Sequence, residues 1–131
     1  MWLRRMDLEI VQPLIRWWRN DPETIDFYRG YRTPIPEARM LQKVAIHQAL
    51  NLLDEELEGK EWLCGSRFSA ADCHFYGIVS MLVERVTDAK WVLAPTRRNV
   101  KAYFERMEGR EASLRAKLDT WADGLEESDV R

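Results

Sequence analysis

The sequence predicts an all-α fold, a helical bundle of about five main helices. Three observations predict it. Apolar residues recur at three- and four-residue spacing along most of the chain. No segment shows the alternation of a half-buried strand, and no internal repeat or low-complexity stretch breaks the pattern. Proline, glycine and Asn-Asp clusters fall between the periodic runs, where they stop helices and turn the chain. The connections are short, which favours antiparallel neighbours.

The first helix covers residues 1–20, with Met6, Ile10, Leu14 and Trp17 in line. Pro13 lies inside it and, lacking a backbone donor, predicts a kink. Trp2 and Leu3 already read as interior residues with no capping residue before them, so the helix frays at Met1 or starts upstream. Asn20-Asp21-Pro22 ends it. Asp21 is placed to cap a short helix from Pro22 to near Gly30. Thr33-Pro34-Ile35-Pro36 reads as an extended linker, because a residue before proline is pushed out of the helical region.

A second long helix is predicted from Pro36 to Glu58, with Ile46, Leu50, Leu53 and Leu57 as its stripe. Leu41, Val44, Ala45 and Ala49 widen that stripe and predict packing against more than one neighbour. Gly59 is its stop, and Trp62 and Leu63 should anchor the following loop in the core. The third helix, Ser69 to Val86, carries Ala71, Phe75, Ile78, Val79 and Leu82 on one face and few charges, as befits the centre of a bundle. Trp91-Val92-Leu93 anchors the next connection. A fourth long helix runs from Pro95 to Glu108 through Val100, Tyr103, Phe104 and Met107. The last runs from Arg110 to about Gly124, with Leu114, Leu118 and Trp121 in line, and 126–131 is read as an acidic frayed tail.

Composition excludes several classes. At 131 residues the chain is one domain. No apolar run approaches the roughly 18 residues of a membrane span, and Arg4, Arg5, Asp7 and Glu9 rule out a signal-peptide core at the N-terminus. A cytoplasmic location is the default expectation. A formal net charge of −2 gives no footprint for nucleic acid. Cys64 and Cys73 read as reduced thiols, and neither His47 nor the Cys73-His74 pair has the partners of a metal site.

Phe68-Ser69-Ala70-Ala71-Asp72 is the most informative segment. Ser69 is placed to cap the third helix, and Asp72, three residues on, to reach back to the Ser69 N–H. Phe68 precedes the cap as half of a hydrophobic staple with Cys73. A helix start buried in a bundle requires such partners, since its free N–H groups have no water to meet. Upstream stand Leu50-Asn51-Leu52-Leu53-Asp54-Glu55-Glu56-Leu57 and then Trp62-Leu63-Cys64-Gly65. Together these segments resemble the C-terminal domain of glutathione transferases, in which a leucine-rich helix, a Trp-Leu-x-Gly loop and a Ser/Thr-x-Ala-Asp box follow one another. Pro95, Tyr103, Phe104, Glu105, Arg106 and Arg110 resemble that family's next helix. The likeness is good over 36–116 and looser over 1–20. Two positions depart from it: Glu111 stands where proline is usual, and Cys73 where a larger aliphatic is usual.

The resemblance implies a glutathione transferase C-terminal-like helical domain over 1–125, whose first helices line the pocket for the electrophile and contribute to a dimer interface. Trp17, Trp18, Tyr28 and Tyr31 are the candidate pocket walls and Arg16 the candidate partner for an anionic group; plain core and interface packing is the competing reading. Ser69, Asp72 and Phe68 take a structural role. Tyr76 and Tyr103 read as core, and no residue is assigned to catalysis. The resemblance also implies a thioredoxin-like domain, absent before Met1, that binds glutathione as co-substrate and activates its thiol. The chain alone is then expected to bind no cofactor and to be inactive or nearly so. The alternative is a helical module that associates with a partner protein or with itself.

Overall fold

The structure is a computed structural model and describes residues 1–116, apart from the side chains of Thr87 and Asp88. Five α-helices organise it: α1 (Trp2–Met6), α2 (Gln12–Arg19), α3 (Pro36–Glu56), α4 (Ala70–Arg85) and α5 (Arg98–Glu108). No strand occurs among the described residues.

Met6, Ile10, Leu14 and Trp17 are all at most 1% exposed, as their spacing predicts. The helix carrying them does not simply kink at Pro13. Asp7–Val11 forms a π-helical turn that joins α1 to α2 in one continuous rod. The physical reason lies in the proline, whose ring would meet the carbonyl four residues back in a regular α-helix. A π-helical turn just upstream changes that spacing and accommodates the ring. The turn is also tied from outside. The Asp7 carboxylate pairs with His74 of α4 at 3.0 Å and accepts from Gln12 at 3.3 Å. These partners, His74 first, hold the Asp7 carboxyl below its usual range.

The rod's start packs on α4 and its end on α3, while α5 meets both α3 and α4. One core results: Trp17 and Leu14 from the rod, Ile46, Leu50 and Leu53 from α3, Phe75, Val79 and Leu82 from α4, and Val100, Tyr103 and Met107 from α5.

Several expectations require correction. The short helix expected to reach Gly30 is one 3-10 turn, Pro22–Thr24, although Asp21 does cap it by accepting from the Glu23 N–H at 3.0 Å. The chain then turns until Gly30, whose φ of 80° suits glycine. Asn20 explains how the linker closes: its side chain donates to the Arg16 carbonyl and accepts from the Ile35 N–H. Helix α3 ends at Glu56 rather than Glu58. Its Ile46, Leu50 and Leu53, with Leu57 beyond, are buried, but Leu41, Val44 and Ala45 are exposed. The main contacts of α3 are with the rod and α5, and these three side chains stay exposed beside them. Helix α5 starts at Arg98, not Pro95, because its cap is tertiary: Asp54 of α3 accepts from the Val100 N–H at 2.8 Å.

Trp62, Leu63 and Val92 are buried, as their anchoring role predicts. Thr87–Leu93 is a 3-10 segment. Residues 111–116 are helical; Leu114 is half exposed, and Leu118, Trp121 and the acidic tail lie outside the described residues. None of the described helices is long and apolar enough to cross a membrane.

Candidate functional site

Two polar arrangements could carry function, and they differ in kind. The first surrounds the start of α4. Ser69 is its N-cap, and Ser69 and Asp72 form a capping box. Asp72 does more than the local motif asks. It is fully buried, and its carboxylate accepts four hydrogen bonds. One oxygen takes the Ser69 N–H at 2.8 Å and the Ser69 hydroxyl at 3.1 Å. The other takes the Leu63 N–H at 3.1 Å and the Tyr103 hydroxyl at 2.6 Å. A single carboxylate therefore joins α4, the anchoring loop and α5. Burial, reinforced by the Asp72 carboxylate, pushes the Tyr103 hydroxyl far above its ordinary value, so its proton stays in place. Outside this centre, Phe68 packs edge-on against Trp62 at 5.0 Å, and the Arg110 guanidinium lies 3.3 Å from the Phe68 ring centroid. Charge-saturated groups of this sort hold a fold rather than transfer protons.

The second arrangement lies where α2 ends. Trp18 is half-buried there, with its ring 5.2 Å from Phe27 and 6.1 Å from Tyr28 between centroids. Trp18 and Phe27 wall a hollow of about 320 Å³ that Asp21, Glu23, Thr24, Arg39, Arg85 and Val86 complete. The 3-10 turn brings the Phe27 ring back against Trp18, and the end of α4 supplies Arg85 and Val86. Arg39 reaches across the linker to Asp21 at 2.9 Å and lies 4.5 Å over the Trp17 ring. The hollow thus has a flat aromatic side and a polar side of mixed charge, which suits an aromatic molecule with a polar substituent.

The structure gathers only part of the predicted pocket set. Trp18 borders the hollow; Tyr28 touches the Trp18 ring but is not part of the lining. Trp17 does not line it either: it is 1% exposed and packs edge-on against Trp91 at 5.4 Å in the core. Adjacent helical residues point about 100° apart, and here Trp18 takes the more exposed position. Tyr31 is 91% exposed and Arg16 is exposed, and neither borders the hollow. Arg39 and Arg85 are the arginines placed there instead. Sequence reasoning missed both, along with Phe27. The Asp21–Arg39 pair spans a linker whose path no local pattern records.

Among the described residues no group of three His, Cys, Asp or Glu side chains is arranged to hold a metal ion. Both cysteines are free and exposed.

An all-α bundle with a buried Ser-x-x-Asp box under a Trp-Leu loop defines a specific class of helical domain. Residues 21–111 match the family model of the glutathione S-transferase C-terminal domain, and the chain belongs to that family. No curated protein and no solved structure matches the chain.

Proposed function

We propose that this chain is the electrophile-binding side of a glutathione transferase. The observation that carries the reading is the aromatic hollow at the end of α2, walled by Trp18 and Phe27. A hydrophobic, aromatic electrophile would lie against those rings, with Arg39 or Arg85 near a polar substituent. Glutathione and the group that activates its thiol would come from a thioredoxin-like domain docked beside this one. The glutathione thiolate then attacks the electrophilic carbon, forming a C–S bond as the leaving group departs with the bonding electrons. In this reading the described helices form the helical domain, the location is cytoplasmic, and this chain binds no cofactor by itself.

No residue of the chain is given a catalytic role. Tyr103 is the one buried hydroxyl next to a carboxylate in the polar centre, and it keeps its proton while donating to Asp72. The chain by itself should therefore show little conjugation of an aryl halide. Adding a separate thioredoxin-like domain of the family should raise the rate, and Trp18→Ala should lower that gain. A rate that does not respond to the added domain would count against the enzyme reading.

A second reading has its own observation. Met40, Leu41, Val44 and Leu52 are all more than half exposed on α3. Apolar side chains gathered on one helix arc favour association with another protein or a second copy. A defined oligomer or hetero-complex with no affinity for aromatic ligands would put this reading first.

A further inference from the structure

Arg97 is 6% exposed, and no carboxylate lies within ion-pair distance of it among the described residues. A cation that deep normally has a carboxylate beside it. Here neutral acceptors surround it. Its Nε donates to the Asn51 side chain at 2.8 Å and its Nη1 to the Trp91 carbonyl at 3.1 Å. Its Nη2 meets Nδ1 of His47. A guanidinium has donors only, so Nδ1 of His47 must be the unprotonated acceptor and the imidazole must be neutral. The same ring lies tilted against the Trp91 indole, with centroids 4.5 Å apart.

These contacts join three elements. His47 and Asn51 belong to α3, Trp91 to the 3-10 segment Thr87–Leu93, and Arg97 is the residue before α5. We propose that His47 is a proton-operated latch: neutral, it holds Arg97 and thereby the 3-10 segment and the start of α5 against α3; protonated, it releases that joint.

The charges around His47 favour the release once it is protonated. From its own helix it meets Lys43, whose ammonium lies 5.0 Å from the Trp91 ring centroid; from the α5 side it meets Arg97. Both are positive. Asp54, on α3, acts on Arg97 and supports its charge. A protonated His47 would be a further cation against a buried one, with its acceptor lone pair lost. Burial, then Arg97, then Lys43 accordingly push His47 below its ordinary value of 6.5. The unfolded or opened chain takes up the proton near 6.5, before the closed state does. Stability from the joint is therefore complete above that value and is lost as pH falls toward the closed-state value.

The test uses the full chain. Thermal unfolding and amide hydrogen exchange are measured at about pH 7.5 and about pH 5.5, for the wild type and for His47→Gln, whose carbonyl can accept from Arg97 but cannot be protonated. The wild type should lose about 3 °C more in Tm than the variant on acidification. After correction for intrinsic exchange, amides of 87–97 should lose protection about tenfold, a change worth about 1.4 kcal/mol, while amides of 70–79 keep theirs. Equal acid losses in the two proteins, or a protection loss spread evenly over the chain, would overturn the latch. Should His47→Gln fail to fold, the wild-type His47 ring resonances decide: a titration midpoint at or above 6.5 removes the proposal, and one below it, accompanied by the exchange change at 87–97, upholds it.

Discussion

The start of α4 and the end of α2 are built from similar materials to opposite effect. Each joins aromatic rings, an aspartate and an arginine. At α4 the aspartate is fully buried and takes four donors, so nothing in the centre is left to bind a ligand. At α2 the aspartate and Arg39 pair at the rim of a hollow, and Trp18 and Phe27 lean on each other with open space beside them. Saturation marks a group that holds the fold, and incompleteness marks a place where something else can dock. A fully desolvated carboxylate is tolerable only when its lone pairs are filled. Half-buried rings have no such requirement and remain available to a ligand.

Substitutions should separate the two regions in graded fashion. Asp72→Ala strands the Leu63 N–H, the Ser69 N–H and the Tyr103 hydroxyl in the interior, and each such group costs about 1–3 kcal/mol. Urea unfolding should show a loss above about 3 kcal/mol, with expression compromised; an unchanged midpoint would refute the hub. Trp17→Ala should follow at roughly 3–5 kcal/mol, the usual range for an aromatic removed from a core. Tyr103→Phe removes one charge-assisted bond and leaves the other three, and should cost about 1.5–3 kcal/mol in the same assay. Trp18→Ala closes the series, with a stability loss of about 1 kcal/mol or less but a large loss of aromatic-ligand affinity by calorimetry. Parallel losses of stability and binding in that variant would make Trp18 a packing residue like its neighbour.

Acid should act on a small scale at the π-helical turn. His74 holds the Asp7 carboxyl below its usual range, so the stability it contributes is present above the unfolded carboxylate value and fades as pH falls through the folded one. Solvent reaches both partners and screens the pair, so Asp7→Asn should leave the urea midpoint near neutral pH almost unchanged.

Much of the architecture was legible because periodicity and punctuation are local. The buried series Met6, Ile10, Leu14 and Trp17 and the Ser69–Asp72 box could be read directly from their spacing. What escaped was tertiary. Pattern alone placed the start of α5 at its proline, whereas a side chain 46 positions away supplies its cap. The breadth of the apolar stripe on α3 suggested several neighbours, yet Leu41 and Val44 face outward. For the hollow, the aromatic-rich run suggested Trp17, Trp18, Tyr28 and Tyr31 with Arg16, of which only Trp18 lines it, and nothing local could choose between Trp17 and Trp18. Nor could it show Arg39 folding back onto Asp21 or Arg85 arriving from α4.

An electrophile-binding role requires that the hollow beside Trp18 receive an aromatic ligand. The most direct measurement is a titration of the isotopically labelled chain with an unreactive nitroarene, followed by NMR shifts. Binding in the hollow should give saturable shifts at the Trp18 indole N–H and at the backbone amides of Phe27, Arg85 and Val86, with those of Trp17 and Asp72 little moved. Shifts gathered at Leu41, Val44 and Leu52, or no saturable shift at all, would contradict it.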